Sequence, residues 1–169
     1  MEIVKAHMSH LIEALYLIRQ CNDELLKKNI VQWDEENATM QAVKDDIENG
    51  FLYVMREKNV TIGTMALSPS SPVKEQNEND PKKTATVYRL AIFPFWQKKG
   101  IGQKLMSFAE KYAIENGFEN IRVNISIKNS RAMNFYTTRK YIKTYEFVSD
   151  KTNEEYMCFE KELVGELVN

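Results

Sequence analysis

From Ile121 to Lys128 apolar and polar residues alternate without a break, Ile121, Val123, Ile125 and Ile127 against Arg122, Asn124, Ser126 and Lys128. A period of two is the mark of a strand with one buried face, so the chain must build a sheet. What comes before decides which kind. Ile101, Leu105, Phe108, Ala109 and Tyr112 recur at helical spacing, and Asn116-Gly117 closes that helix. Residues 84–93 form an earlier strand that Pro94 ends. Strand, helix, strand is a β-α-β unit.

The N-terminal half reads differently. Residues 2–5 suggest a short strand, Leu11, Ile12, Leu15 and Ile18 a first helix, and residues 25–33 a less regular segment. Residues 39–49 form a helix stopped by Asn49-Gly50. Residues 51–56 and 60–67 are β-rich runs joined at Glu57-Lys58-Asn59, a hairpin. Residues 68–83 carry three prolines and no periodicity, an exposed and mobile loop. After the alternating strand, residues 130–139 fit a short helix capped by Asn129 or Ser130, with Ala132, Phe135 and Tyr136 inward. Residues 143–148 and 156–163 are the last two strands. Hairpins first and β-α-β later imply an α/β chain, a mixed sheet with helices on its faces.

Composition narrows the function classes. At 169 residues one domain spanning 1–169 is expected. The 43% hydrophobic and 28% charged residues are the balance of a folded soluble protein. Twenty-three basic against 24 acidic side chains leave a charge of −1, without the basic footprint of a nucleic-acid binder. No apolar run reaches the ~20 residues needed to cross a bilayer, and residues following Glu2 do not read as a signal peptide. A cytoplasmic protein is expected, with no membrane or nucleic-acid partner. Cys21 and Cys158 form no disulfide framework or zinc-spaced pair and read as buried small residues. His7 and His10 lack a partner cluster, so no metal is expected.

The chemistry concentrates between Pro94 and the third helix. In Gln97-Lys98-Lys99-Gly100-Ile101-Gly102 two glycines flank Ile101 where the chain must turn into helix. The first amides of a helix lack internal partners and carry the positive end of its dipole, so a phosphate can sit there. Gly100 and Gly102 allow close approach, and Lys98 and Lys99 add charge. A Walker loop needs Ser or Thr after Gly-Lys, and the dinucleotide fingerprint needs a third glycine where this chain has Leu105. Two glycines can also serve merely as a tight turn.

The segment from Leu90-Ala91-Ile92-Phe93-Pro94 through Gly102 resembles the signature of the GNAT superfamily of acyl-CoA-dependent N-acetyltransferases, a strand and proline followed by Q/R-x-x-G-x-G/A. Downstream, Asn129, Ala132 and Tyr136 reproduce that family's N-x-x-A-x-x-x-Y pattern. The resemblance implies a mostly antiparallel central sheet of about six or seven strands flanked by helices, splayed between strands 4 and 5. It implies acetyl-CoA as donor cosubstrate, without a metal, and transfer of acetyl to a primary amine of a small molecule or peptide by direct attack in a ternary complex. A coenzyme A-binding regulatory module without turnover is the alternative. Either a monomer or a homodimer fits.

Carried over residue by residue, the resemblance assigns coenzyme binding to the strand edge Leu90, Ala91 and Ile92, to Gln97, Lys98, Lys99, Gly100, Ile101, Gly102 and Gln103, and to Asn129, Ala132 and Phe135. Main-chain N–H groups of that edge would polarise the thioester carbonyl. Tyr136 matches the general acid that protonates the departing thiolate, a thiol of pKa about 8.5 against a phenol of about 10. For the acceptor, Trp33 and Glu35, with Asp34 and Glu36 beside it, could offer an aromatic wall with carboxylates, faced by Tyr88; equally, Trp33 fits the core and the acids a solvated surface. One departure stands out. Where the family often has Gly-Phe after the tyrosine, this chain has Lys140-Tyr141, and Lys140 lacks glycine's ease at positive φ, so a different turn is expected there.

Overall fold

Lys58 and Asn59, at φ 48° and 66°, form the two-residue left-handed turn that right-twisted strands require. The flanking strands, β2 (Leu52–Glu57) and β3 (Val60–Ser68), pair antiparallel around it. The turn is one residue shorter than the sequence suggests, because Glu57 pairs with Val60. The computed structural model describes residues 1–33, 38–69 and 83–163. Asp34, Glu35 and Glu36, and nearly all of the proline-bearing loop, lie outside the described residues.

In chain order the remaining elements are β1 (Glu2–Lys5), α1 (Leu11–Leu26), α2 (Met40–Glu48), β4 (Thr84–Ile92), α3 (Ile101–Glu115), β5 (Asn120–Ser126), α4 (Ser130–Thr138), β6 (Ile142–Val148) and β7 (Glu155–Glu162). The seven strands make one sheet in the order β1-β2-β3-β4-β5-β7-β6. β4 and β5 form a parallel pair, while β1–β2, β2–β3, β5–β7 and β6–β7 are antiparallel. The parallel ladder joins Thr84–Val87 to Asn120–Val123; β4 runs on to Ile92 and β5 to Ser126.

The chain divides into two compact units, residues 1–67 with 88–107, and residues 68–87 with 108–169. In the first, α1 and α2 bury Leu15, Leu17, Ile18, Val43 and Ile47 in one core with Leu52, Val54 and Ala91. Ile12, read from its spacing as part of the α1 stripe, is 66% exposed. The buried face instead runs through Leu11, Ala14, Leu15 and Ile18 to Cys21, and the small Ala14 takes the inward position. In the second unit, β5 is buried on both faces, contrary to the single buried face its alternation suggests. Its polar face is covered because Arg122 and Asn120 both bond the Glu160 carboxylate of β7, at 2.8 and 2.7 Å.

Among the described residues the four α-helices stop in the same way. Asn29, Gly50, Gly117 and Lys140 sit at positive φ just past the helix ends. Each N–H, with that of the following residue, bonds back into the last turn: Asn29 to Leu26, Gly50 to Ile47, Gly117 to Ile114 and Lys140 to Thr137. The turn after α4 thus survives the absence of glycine. Lys140 takes φ 68°, and the Tyr141 N–H reaches the Tyr136 carbonyl at 3.0 Å. The expectation of a different turn is corrected: the closing bonds and the stacking of Tyr141 on Tyr136, ring centroids 5.3 Å apart, hold a lysine in a glycine's conformation.

Candidate active site

β4 is irregular where the site begins. Arg89 has φ 52°, a left-handed residue inside a strand, which costs a non-glycine residue about 1–3 kcal/mol and persists only where the surroundings hold it. They do so here at three points. The side chain, 3% exposed as a residue, donates from Nε to Asp46 Oδ2 at 2.6 Å. Asp46 Oδ1 takes a second bond from the Tyr88 hydroxyl at 2.8 Å, and the Arg89 carbonyl accepts from Thr64 Oγ1 at 2.8 Å. Removing one partner of so buried an ion pair costs about 3–5 kcal/mol.

Past this kink the strand edge Leu90, Ala91, Ile92 leads to the loop. The Ile92 carbonyl accepts from Gln97 Nε2 at 3.0 Å and from the Cys21 thiol at 3.2 Å, and Phe93 N–H bonds Ile62 across to β3. Burial raises the Cys21 thiol to a pKa of about 11, so it acts as a neutral donor. Pro94–Trp96 make a single 3-10 turn. Lys98 at φ 60° and Gly100 at φ 80° then swing the chain into α3.

In that turn the Lys104 N–H bonds the Gly100 carbonyl at 3.2 Å. The N–H groups of Ile101 and Gly102 precede it, among the opening amides for which a helix has no carbonyl one turn back. A Cβ placed on Gly100 would meet nothing within 4 Å, so glycine is needed there for φ, and open space lies above it. Ile101, 1% exposed, sends its side chain inward toward Gly63, where an added Cβ would stand 3.4 Å from it and 3.2 Å from Leu105. It offers a ligand only main chain. Lys98 and Gln103 are exposed; Lys99 lies over the Phe95 ring at 4.0 Å and Trp96 at 5.2 Å. Gln97 spends its amide on Ile92, a bracing role the motif alone does not reveal.

In the second unit Asn129 caps α4, its Oδ1 accepting from Ala132 N–H at 3.2 Å. Ala132 and Phe135 are half-buried and Tyr136 is 3% exposed. Burial holds the Tyr136 phenol well above its ordinary range, with Arg139 pulling the other way, so at neutral pH it keeps its proton. Its ring stacks on Tyr141 and meets Phe135 edge-on at 5.0 Å. Tyr141 is fixed in turn by a bond to Glu110 Oε1 at 2.8 Å, while Arg139 and Lys161 neutralise Glu110 Oε2.

The first unit thus brings together Leu90–Ile92 and the loop from Gln97 to Gln103, and it packs Trp33 and Tyr88 against one core. Trp33 is half-buried there. Sequence reasoning missed Asp46, Arg89, Thr64 and Glu110. A signal existed for three of them: Asp46 shares the inward stripe of Val43 and Ile47, Arg89 falls between inward Val87 and Ala91, and Glu110 between Met106 and Ala113. Charges at inward positions must find partners.

The model of the acetyltransferase (GNAT) family matches residues 13–141. An uncharacterized N-acetyltransferase of Acanthamoeba polyphaga mimivirus is 25% identical over 166 residues; the match covers 94% of this chain and 37% of that protein, so the chain spans little more than a third of its curated relative. Among solved structures, a GNAT-family acetyltransferase of Streptococcus agalactiae superposes with a TM-score of 0.75 at 18% identity, covering 95% of this chain and 94% of the other. The PaiA N-acetyltransferase of Thermoplasma acidophilum, in complex with coenzyme A, gives 0.72 at 19%, covering 95% and 98%.

Proposed function

Because the chain belongs to the acetyltransferase (GNAT) family, we propose that it transfers acetyl from acetyl-CoA to a primary amine of a small molecule or peptide, by direct attack in a ternary complex. The observation that carries the donor half is the opening of α3, where Gly100 at φ 80°, with open space above it, leads into the opening amides of the helix. That geometry fits a diphosphate, and a solved structure of the same fold is a complex with coenzyme A. The amides of Gly100, Ile101, Gly102 and Gln103 would bind the phosphates with help from Lys98 and Lys99. Gln97 braces the loop onto β4, and the edge Leu90–Ile92 would hold the thioester arm.

The donor supplies an activated acyl carbon. As the neutral amine nitrogen bonds to it and the C–S bond breaks, the thiolate takes a proton from the Tyr136 hydroxyl, the nitrogen gives up its own to solvent, and solvent returns one to Tyr136. Burial keeps Tyr136 protonated for that step. Asn129 and the α4 residues Ala132 and Phe135 complete the coenzyme contacts, and Trp33, Glu35 and Tyr88 are assigned to the acceptor. A general acid is worth about 10²–10⁴ in rate. With acetyl-CoA and a panel of amines, the protein is expected to release free thiol, and Tyr136→Phe to lose at least about 100-fold in kcat at neutral pH. Thiol release by Tyr136→Phe at the wild-type rate removes Tyr136 from the acid role.

A further inference from the structure

We propose that Arg89 is a positioning residue, clamped by Asp46 and Thr64 so that its left-handed backbone sets the edge Leu90–Ile92 in the conformation that acetyl transfer uses. The inference rests on the reading of that edge as the seat of the thioester.

A strand residue other than glycine does not hold φ 52° on its own. Arg89 is fixed on both sides of its peptide chemistry. The guanidinium is tied to α2 through Asp46 at 2.6 Å, and the carbonyl to β3 through the Thr64 hydroxyl at 2.8 Å. The Tyr88 hydroxyl, at 2.8 Å, fixes the other oxygen of Asp46, so the carboxylate cannot turn away from the arginine. Arg89 Cζ also lies 5.6 Å from the centroid of the Tyr88 ring. Asp46 and Thr64 are themselves buried, at 8% and 0% exposure. A buried charge pair carries no advantage over apolar packing in a core, and a strand gains nothing from one left-handed residue. Both features, expensive singly, occur at the same residue, immediately before the strand edge whose main-chain donors the reaction needs. Residues held in such conformations by over-determined contacts cluster at sites where geometry is used. The left-handed residue interrupts the regular geometry of β4 just ahead of that edge, and the clamp holds the interruption in place.

Arg89→Ala and Arg89→Gly separate the two parts of this device. Both remove the guanidinium and leave Asp46 with the Tyr88 bond, but glycine takes φ 52° without strain and alanine does not. At a temperature where circular dichroism shows both folded, Arg89→Ala is expected to lose ten- to a hundred-fold in kcat, and Arg89→Gly to recover at least three-fold over it. KM for acetyl-CoA should stay within about three-fold of wild type in both, since the diphosphate contacts at α3 are untouched and only the thioester end of the coenzyme meets the altered edge. A purely structural role lowers melting temperature and leaves the two variants with equal kcat, which overturns the proposal. If Arg89→Ala does not fold, Thr64→Val decides: a fall of three-fold or more in kcat at unchanged KM supports the clamp, and wild-type kcat overturns it. Wild-type protein that releases no thiol with any amine overturns the acetyl-transfer reading and the clamp with it. Active wild-type protein with unaffected variants overturns the clamp alone.

Discussion

Lys140 shows how a single residue can depart from a pattern without changing the structure the pattern encodes. Its φ of 68° is glycine's territory, yet the Lys140 and Tyr141 amides close onto Thr137 and Tyr136 at 2.9 and 3.0 Å. The strain is therefore stored rather than relieved, and Lys140→Gly should release it. A non-glycine residue in the left-handed region costs about 1–2 kcal/mol, and the greater freedom of glycine in the unfolded chain returns part of that. The net expectation is a gain of about 0.5–1 kcal/mol, read as a higher urea midpoint at unchanged slope. An unchanged or lower midpoint shows the turn unstrained. Lys140 was legible as an exception; that it would conform was not, because the deciding contacts are the stacked rings of Tyr136 and Tyr141.

At the scale of elements, periodicity and helix-stop residues placed every strand and α-helix of the described residues, because caps and turns are local, but α1 runs on to Leu26, past the stripe that ends at Ile18, and the 3-10 turns Met8–His10 and Pro94–Trp96 carry no such signal. β5 was legible in place but not in environment, since the cover over its polar face comes from Glu160, 40 residues away from Asn120. The α4 N-terminus poses the same question in functional form, for Asn129 caps the helix and is also assigned to coenzyme contact. Asn129→Ser separates the roles. Serine caps about as well as asparagine, so melting temperature should hold, whereas loss of a cap by Asn129→Ala costs about 1 kcal/mol. If the amide also meets the coenzyme, KM for acetyl-CoA rises several-fold in both variants. A serine variant with wild-type KM leaves Asn129 as a cap and nothing more.

Over the whole molecule the turn from β4 into α3 was readable, because it is written locally, in Pro94, Gln97 and Gly100. The kink of β4 was not, since Asp46 and Arg89 are 43 residues apart and meet only through the fold. Global stability depends on another such meeting. His10 lies buried, its Nδ1 accepting from the His7 amide at 2.9 Å and its Nε2 2.6 Å from Arg56 Nη1. Burial first, then the Arg56 and His7 charges, lower its pKa from the ordinary 6.5, against a small opposing pull from Glu13. A histidine whose folded pKa is depressed binds its proton more readily when unfolded. Its contribution is therefore fully present above pH 6.5 and is lost as pH falls from there through the lower folded value. Below that window the slope from His10 vanishes. Melting temperature should drop between about pH 7.5 and about pH 5.5, and His10→Gln, which keeps a hydrogen-bonding side chain but no titration in this range, should flatten that drop. Parallel profiles for wild type and variant would show that His10 takes its proton as easily folded as unfolded, and that the acid sensitivity of the fold resides elsewhere.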